Sequence, residues 1–296
     1  MKCGTLAILG RSNVGKSTLL NALVKQKVAI VAESPQTTRT RVMGVGHYPE
    51  AQLVVIDTPG VHTPHHQLNR HMVQSALGTL SEADIVYVMV DASKIAGPGD
   101  RFVIDRITSA AKARPFLGLF LLLNKVDLVK KSRVLPLIDQ YRQLWDWTGI
   151  IPLSAKTGLN LDRLLHVTLA CLSDEQQAAY DEHFITDQSM RRLAAEFIRE
   201  QVLAFTRDEL PYSIAVDIEQ FEEEKGQARI SGVIIVDKPS HKRMVIGKGG
   251  QVLKAIGTEA RREMERELRL KIFLQLWVKV KEGWRDSQQF LVDLGY

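Results

Sequence analysis

The stretch GTLAILGRSNVGKS, residues 4–17, decides the first fold assignment. Its apolar half, residues 4–10, predicts a buried strand, and the segment from Lys16 onward predicts a helix. The loop between them, GRSNVGKS (10–17), fits the pattern G-x-x-x-x-G-K-[ST] in the strand–loop–helix context that this pattern requires. Such a loop turns backbone N–H groups and a helix N-terminus toward a polyphosphate, so the sequence predicts a nucleotide site here.

The remainder of the first half alternates short apolar runs with longer amphipathic segments. Buried parallel strands read as continuous apolar runs because helices cover both faces of the sheet. Together with the glycine loop, the pattern therefore predicts an α/β P-loop domain with a mostly parallel six-stranded sheet and helices on both faces. The predicted strands are residues 4–10, 41–48, 51–58, 83–91, 117–124 and 150–154, and the predicted helices lie near 16–26, 68–81, 100–113, 133–146 and 160–172.

Two further motifs end predicted strands and suit the phosphates and their metal. Asp57-Thr58-Pro59-Gly60 closes the strand 51–58, where the Asp57 carboxylate can hold Mg²⁺ through water and the Gly60 N–H can sense a γ-phosphate. The polar loop QTTRTR (36–41) supplies a threonine, Thr37 or Thr38, that completes the Mg²⁺ shell only while the γ-phosphate is present. Both motifs point to a triphosphate-dependent switch.

Two other strand ends suit the base. Asn124-Lys125-Val126-Asp127 follows the strand 117–124. An Asp127 carboxylate accepts two hydrogen bonds from the N1–H and N2–H₂ edge of guanine, which adenine lacks, so this residue favours GTP over ATP. Ser154-Ala155-Lys156 follows the last strand and offers a backbone N–H to the guanine O6. All these motifs lie where open α/β sheets bind ligands, at the carboxyl ends of strands.

Together the motifs define a predicted GTP site. Lys16 should reach the β and γ phosphates, and the Ser17 hydroxyl should ligate Mg²⁺. The predicted metal ligands are Ser17, Thr38 and Asp57. The predicted catalytic residues are Lys16, Thr38, Gly60 and Asn13. The predicted nucleotide-binding residues are Gly10, Asn13, Val14, Gly15, Lys16, Ser17, Thr18, Asp57, Gly60, Asn124, Lys125, Asp127, Ser154, Ala155 and Lys156.

The residue after Gly60 departs from the pattern of Ras-like enzymes. Those enzymes place a glutamine there to orient the attacking water, whereas this chain has Val61, whose side chain neither donates nor accepts. Intrinsic hydrolysis should then be slow, or the water must be held otherwise. Two readings of Asn13 stay open: it assists a K⁺ ion at the transition state, or it merely shapes the loop. We interpret the nearby His62, His65 and His66 as a solvated switch loop rather than a metal site.

The second half of the chain has a different order of predicted helices and strands. A polar linker, 174–187, precedes an amphipathic helix over 188–206 and two alternating strands, 213–221 and 228–237, joined by the charged turn EEEKGQ. The segment HKRMVI predicts a short helix. A long basic helix (251–269), a strand (270–281) and a final helix (285–293) follow. With 296 residues, we expect two domains: a GTP-binding domain over 1–173 and an α+β domain over 188–296.

A second glycine loop, MVIGKGG (244–250), cannot be another phosphate loop of the first kind. No Ser or Thr follows its lysine, and a helix rather than a strand leads into it. Helix–GxxG–helix is instead typical of KH domains, where the loop clamps the backbone of about four nucleotides. The predicted RNA-binding residues are Lys242, Arg243, Ile246, Gly247, Lys248, Gly249, Gly250, Lys254 and Arg261, with Arg262 as a further phosphate contact. We expect one or two of Ile246, Val252, Leu253 and Ile256 to line a groove and the others to be core.

Charge and composition agree with a soluble, nucleic-acid-binding protein. Lys238–Lys281 holds twelve Lys or Arg against four Asp or Glu, while Asp217–Glu224 holds five acids and no base. Two interpretations of this charge distribution stay open: the basic segment forms a face for a polyanion, or the whole region is a solvated surface of mixed charge. No apolar run approaches the roughly 20 residues of a membrane span. Two cysteines, Cys3 and Cys171, form no disulfide framework, which favours the reducing cytoplasm.

The order and spelling of the five nucleotide motifs resemble those of the translation-factor-related GTPases. Combined with a type II KH arrangement, and with the stretches ELPYS, MVIGKGG and LWVKVKEGW, the chain resembles the Era family of bacterial ribosome-assembly GTPases over nearly its whole length. The resemblance implies GTP/GDP and Mg²⁺ as cofactors, K⁺ at Asn13, and a monomer. It further implies binding to the 3′ region of 16S ribosomal RNA, a role in 30S assembly and rRNA maturation, and peripheral contact with the inner membrane in some members.

Two alternatives remain from the residues. The second domain of a GTPase can bind protein or lipid, with the GKGG loop (247–250) only structural. A tRNA-modification GTPase of the same superfamily is disfavoured, because no accompanying catalytic cysteine or cofactor domain is found.

Overall fold

A computed structural model describes residues 1–34, 36–61, 66–173, 178–206 and 210–296. Packing divides the chain into two compact units. The first comprises Met1–Ala29, Thr38–Pro64 and Asn69–Asp187, and the second comprises Ile30–Thr37, His65–Leu68 and Gln188–Tyr296. The histidines His62 and His65 lie outside the described residues.

The first unit is built on a six-stranded sheet. All its strand pairs are parallel except β2–β3, and the spatial order is β2-β3-β1-β4-β5-β6. The six predicted strands are all present, and the predicted α/β architecture is confirmed. The strands are β1 Lys2–Gly10, β2 Val42–Tyr48, β3 Ala51–Asp57, β4 Ile85–Asp91, β5 Gly118–Asn124 and β6 Gly149–Pro152.

Helices cover this sheet and bury both of its faces. Along β1, Leu6 and Ile8 lie in one apolar core while Ala7 and Leu9 lie in another, and all four are fully buried. This two-sided burial explains why the strands read as continuous apolar runs. Within the described ranges the helices of this unit are α1 Lys16–Val24, α2 Gln67–Gly78, α3 Pro98–Ala113, α4 Val134–Arg142 and α5 Leu161–Ala170.

The stretch predicted as a linker, 174–187, packs in part on the first unit. Residues 174–177 are outside the described ranges, but the following ones bond to the β2–β3 hairpin. The Val45 N–H donates to the Ile185 carbonyl over 2.7 Å, and the Gln52 amide bonds the backbone at Tyr180. Residues 178–187 are therefore an ordered addition to the sheet edge, although the domain boundaries themselves remain a prediction.

The second unit has a three-stranded sheet with helices packed on one face. The strand order is β7-β8-β9, with β7–β8 antiparallel and β8–β9 parallel, which agrees with the predicted α+β KH domain. Its core gathers apolar side chains of the sheet and of the helices around Phe197, Ile256 and Met264. The elements are α6 Met190–Phe205, β7 Ile214–Glu224, β8 Gln227–Val236, α7 Pro239–Ile246, α8 Gln251–Leu268, β9 Lys271–Val280 and α9 Gln288–Asp293.

Two details of the second unit differ from the prediction. The acidic run Glu222–Glu224 is strand rather than turn, because only Lys225 and Gly226, with φ of 49° and 76°, form the bend. Left-handed backbone at both central residues is what a tight two-residue hairpin demands. The predicted final helix 285–293 is interrupted at Ser287, whose extended backbone separates a short turn, Trp284–Asp286, from α9.

No helix within the described ranges is long and apolar enough to cross a membrane.

Candidate functional site

The phosphate loop lies between the end of β1 and the start of α1, as the strand–loop–helix pattern predicts. Gly15 caps α1 with a left-handed φ of 104°, and a Cβ there would lie 2.2 Å from Asn124 Nδ2. Only glycine therefore fits, because the loop must run directly over the Asn124 side chain. The loop is thus packed against the strand end that carries the predicted base-recognition motif.

Three side-chain oxygens converge beside this loop. Ser17 Oγ donates to Asp57 Oδ2 over 2.6 Å, Thr38 Oγ1 donates to the same oxygen over 3.0 Å, and the two hydroxyls lie 2.8 Å apart. Of the two threonines considered from sequence, the structure brings Thr38 here, while the Thr37 hydroxyl bonds the Ser34 carbonyl over 2.6 Å.

This oxygen cluster suits a hard divalent cation. Asp57 is fully buried, and its Oδ1 has no hydrogen-bond partner among the described residues. A buried carboxylate oxygen without a partner is costly unless a ligand satisfies it. Hydroxyl and carboxylate oxygens are the donors that Mg²⁺ accepts, so Ser17, Thr38 and Asp57 fit the predicted metal set. No group of three or more His, Cys, Asp or Glu side chains suitable for a metal occurs elsewhere in the described chain.

Lys16 and Asp57 are buried together and influence each other's protonation. Burial lowers the pKa of Lys16, against the attraction of the Asp57 carboxylate. Burial raises the pKa of Asp57, against the Lys16 charge and the hydrogen bonds from the two hydroxyls. The Lys16 ammonium is folded back on the loop, donating to the Arg11 carbonyl over 2.9 Å. A phosphate would replace that carbonyl as its partner.

Gly60 and Val61 lie directly against the phosphate loop. A Cβ on Gly60 would come 2.6 Å from the Ser12 backbone nitrogen, and the Val61 N–H donates to the Gly10 carbonyl over 3.1 Å. The Val61 side chain is 1% exposed and packs into the apolar core. The position after Gly60 therefore offers no side chain to an attacking water.

Asn124 joins the phosphate loop to the predicted base loop. Its Nδ2 donates to the Val14 carbonyl over 2.7 Å, and its Oδ1 accepts from the Ala155 N–H over 2.9 Å. The Ser154 N–H donates to the Leu159 carbonyl, so two of the three N–H groups of the Ser154–Lys156 loop are engaged. Asp127 is exposed, so its carboxylate is accessible to a ligand.

Asp91, at the carboxyl end of β4, is a site residue that the sequence reasoning missed. Lys125 Nζ donates to Asp91 Oδ2 over 2.7 Å and to the Asn13 carbonyl over 2.7 Å. Burial raises the pKa of Asp91, but the hydrogen bonds from Lys125 and Ser93 outweigh it, so the pKa lies below its ordinary value. The sequence signal for this residue was its position, because Asp91 is an acidic residue at the carboxyl end of the predicted strand 83–91.

The second glycine loop follows α7 and precedes α8. Lys248 is exposed, and Gly249 and Gly250 have φ of 60° and 80° with nothing within 4 Å of a Cβ built on either. The backbone here is thus left-handed and open to solvent, so an extended ligand can approach it closely. Lys242, Arg243 and Ile246 lie on the preceding helix, whose last residue, Ile246, is partly buried against the core.

A groove of about 460 Å³ runs from this loop along α8 to β9. Of the predicted RNA contacts it includes Gly250, Lys254 and Arg261. Of the four apolar candidates only Leu253 lines it; Ile256 is fully buried, and Ile246 and Val252 pack against the core. Arg262 points elsewhere and pairs with Glu259 at 2.6 Å.

The β9 side of the groove was missed from sequence. Gly257 and Thr258 of α8 contribute to the lining, and so do Ile272, Phe273, Leu274 and Leu276 of β9. Phe273 is 60% exposed, which leaves its ring free to stack on a base. The sequence signal for Phe273 was an aromatic residue on the solvent-facing side of a strand with alternating hydrophobicity.

Comparisons with known proteins find relatives for both halves of the chain. The family model described as "50S ribosome-binding GTPase" matches residues 5–125, and the KH domain model matches residues 209–285. The chain is 43% identical to GTPase Era of Leuconostoc citreum (strain KM20) over 297 aligned positions, which cover 100% of this chain and 96% of that protein.

Two solved structures resemble the whole chain. One is Era in complex with MgGDPNP and nucleotides 1506–1542 of 16S ribosomal RNA, and the other is a variant of Aquifex aeolicus Era bound to GDP·AlF₄⁻. Each superposes with a TM-score of 0.94 at 40% sequence identity, covering 100% of this chain and 99% of the other.

Proposed function

This chain belongs to the Era family of GTPases, and from that membership we propose that it is a GTP-hydrolysing switch that binds the 3′ region of 16S ribosomal RNA in 30S subunit assembly and rRNA maturation. The observation that carries the GTPase half is the oxygen cluster of Ser17, Thr38 and Asp57 beside the phosphate loop. The RNA half is supported by the open GKGG backbone at the head of a groove.

Residues of the first unit would hold GTP and Mg²⁺ by exchanging internal hydrogen bonds for ligand contacts. The Lys16 ammonium leaves the Arg11 carbonyl for the β and γ phosphates, and the loop N–H groups face the same phosphates. The Ser17 and Thr38 hydroxyls, and the Asp57 carboxylate with its unpaired Oδ1, would hold the metal. Bound Mg²⁺ would neutralise negative charge on the phosphates.

Hydrolysis in this site depends on groups other than the side chain after Gly60. Because Val61 is buried in the core, it neither orients nor deprotonates a water. The Gly60 N–H and the Thr38 hydroxyl remain as groups that respond to the γ-phosphate. The proposal includes K⁺ at Asn13, whose left-handed backbone carries its carbonyl to Lys125. Slow intrinsic turnover is expected.

The base would be read by Asp127 and by the Ser154–Lys156 loop. The Asp127 carboxylate is exposed without nucleotide, and a bound base would cover it. A base that lacks the two guanine donors would then leave the carboxylate without hydrogen bonds, which discriminates strongly against that base. Because the N–H groups of Ser154 and Ala155 are engaged, the Lys156 N–H is the donor that we assign to the guanine O6.

On the second unit, RNA phosphates would lie along the GKGG loop and α8. Lys248, Lys254 and Arg261 supply positive charge without base preference, as is usual for contacts to the phosphate backbone. Leu253 and Phe273 supply apolar and aromatic surface for unstacked bases. The same proposal includes a monomer that works in the cytoplasm with peripheral contact at the inner membrane.

A double substitution tests the RNA half directly. Lys248→Asp with Gly249→Asp should abolish binding of an RNA corresponding to nucleotides 1506–1542, because two negative charges enter the phosphate path. GTP hydrolysis should survive. The matched control is Lys225→Asp with Gly226→Asp, a second exposed Lys-Gly pair with a left-handed glycine and open space around it. If both pairs reduce RNA binding equally, the GKGG loop is only structural, and a protein or lipid partner becomes the better reading.

A further inference from the structure

The segment Ile30–Thr37, which leads into the metal-site threonine, packs with the second unit. Ile30 is 4% exposed and lies in the apolar core of that unit with Phe197 and Ile198 of α6. Thr38, the next residue after the segment, belongs to the first unit, where its hydroxyl bonds Asp57 and Ser17. The Thr37–Thr38 peptide bond thus joins a residue that packs with the second unit to a residue of the proposed metal site in the first.

Two neighbouring charged residues of α6 hold the two ends of this segment. Glu200 Oε1 accepts the Val31 N–H over 2.8 Å, and the Arg199 guanidinium donates to the Thr37 carbonyl. Glu200 thus accepts from the backbone at one end of the segment, and Arg199 donates to the backbone at the other end. We call Arg199 and Glu200 the backbone clamp.

The backbone clamp is buried, which is unusual for charged residues. Arg199 is 1% exposed and Glu200 is 7% exposed. The Arg199 guanidinium is balanced by Glu196, which accepts from Nε over 2.9 Å and from a terminal nitrogen as well. Removing one partner from a buried, hydrogen-bonded charge is far more disruptive than changing a surface charge. The helix therefore holds the Thr37 carbonyl in a defined position.

We propose that Arg199 and Glu200 are positioning residues for GTP hydrolysis: by holding the backbone at Val31 and at Thr37, they set whether the Thr38 hydroxyl reaches the Ser17–Asp57 pair. The inference rests on the proposed metal role of Thr38. It assigns to α6 an indirect influence on one proposed magnesium ligand, through the Thr37–Thr38 peptide bond. Neither residue touches nucleotide in this account; both act through the backbone.

The distinguishing prediction concerns magnesium rather than stability. Thr38 serves the metal only in the triphosphate state. Arg199→Met should therefore raise the Mg²⁺ concentration for half-maximal GTP turnover by about tenfold or more, as loss of a charged hydrogen bond implies. The affinity for GDP at saturating Mg²⁺ should change less than about twofold, a factor worth only ~0.4 kcal/mol. Arg199→Lys should restore part of the turnover.

The control lies on the same helix. Arg192 also donates to a backbone carbonyl, that of Gly295 over 3.3 Å, near the other end of the chain. Arg192→Met should leave the Mg²⁺ requirement unchanged. Because Arg199→Met leaves the partly buried Glu196 without its cation, Glu200→Gln is the gentler second variant. It keeps the volume and weakens the bond to the Val31 N–H, so a smaller shift in the same direction is expected.

Thr38→Val separates the inference from its premise. If Thr38→Val does not raise the Mg²⁺ requirement, the proposed metal role of Thr38 is wrong. If Thr38→Val raises it but folded Arg199→Met and Glu200→Gln do not, the backbone clamp has no part in hydrolysis and the inference is overturned. A shift in Arg192→Met equal to that in Arg199→Met would also overturn it, since any disturbance of α6 would then suffice.

Discussion

Gly15→Ala is the substitution whose consequences the structure defines most fully. Gly15 combines a left-handed φ of 104° with a position where a Cβ would lie 2.2 Å from Asn124 Nδ2. An alanine must therefore accept an unfavourable backbone conformation and also displace Asn124. That displacement breaks the bonds from Asn124 to the Val14 carbonyl and to the Ala155 N–H.

The expected magnitude follows from these two effects. The left-handed conformation costs an alanine about 1–2 kcal/mol. The two hydrogen bonds of Asn124 contribute about 1–3 kcal/mol together. The free energy of unfolding should therefore fall by about 2–5 kcal/mol. Because Asn124 connects the phosphate loop to the base loop, affinity for GDP should fall at least about tenfold, or ~1.4 kcal/mol.

The assay is urea denaturation together with calorimetric titration of GDP, and the control is Gly158→Ala. Gly158 has a φ of 81° but nothing within 4 Å of a built Cβ, so it carries the conformational cost without the collision. Its loss of stability should stay near about 1–2 kcal/mol. Equal losses in the two variants, with unchanged GDP affinity in both, would refute the role given to the Gly15–Asn124 contact.

Three further predictions concern the nucleotide site. Asp127→Asn should move the preference of the enzyme from GTP toward XTP, because an amide donor matches the O2 carbonyl of xanthine; unchanged relative affinities for the two nucleotides, measured by competition, would remove Asp127 from base recognition. K⁺ should stimulate GTP turnover over Na⁺ at equal ionic strength, and identical rates in the two salts would leave Asn13 only a role in loop shape. The pKa of Asp91 is lowered in the folded protein, so its stabilising effect is complete above about pH 4, the value for an unfolded aspartate, and is lost as pH falls through the lower folded value. Asp91→Asn should flatten that part of the acid unfolding curve, and an unaltered curve would show that the Lys125 pair does not contribute.

The architecture of the first unit could be predicted from the sequence, because the hydrophobic pattern of each segment agrees with the burial that the fold gives it. Strands buried on both faces carry unbroken apolar runs, and the polar motifs that follow them must gather at one sheet edge. Asp57 and Asn124 could therefore be placed beside the phosphate loop without knowing a single contact. The sequence could not predict which of Thr37 and Thr38 lies beside Ser17 and Asp57, since the two adjacent threonines share the same local sequence pattern.

The residues that were missed depend on partners distant in the chain. Arg199 bonds a carbonyl 162 positions away, and Glu200 bonds an N–H 169 positions away, so nothing local indicates either contact. One clue was present: both residues lie between Ile198 and Val202, two apolar residues of this amphipathic helix, and a charge buried there needs a partner. Phe273 was missed for the opposite reason, because a groove between a helix and a strand has no sequence pattern of its own.

The most direct test of the account is the affinity for RNA in the two nucleotide states. Fluorescence anisotropy of a labelled RNA corresponding to nucleotides 1506–1542 would be measured with the protein loaded with Mg²⁺ and either GDPNP or GDP. Coupling between distinct sites is typically worth about 1–3 kcal/mol, so affinity should differ by about fivefold or more in favour of the GDPNP form. Equal affinity in the two states would contradict the proposal that this GTPase is a switch whose nucleotide state changes its RNA binding.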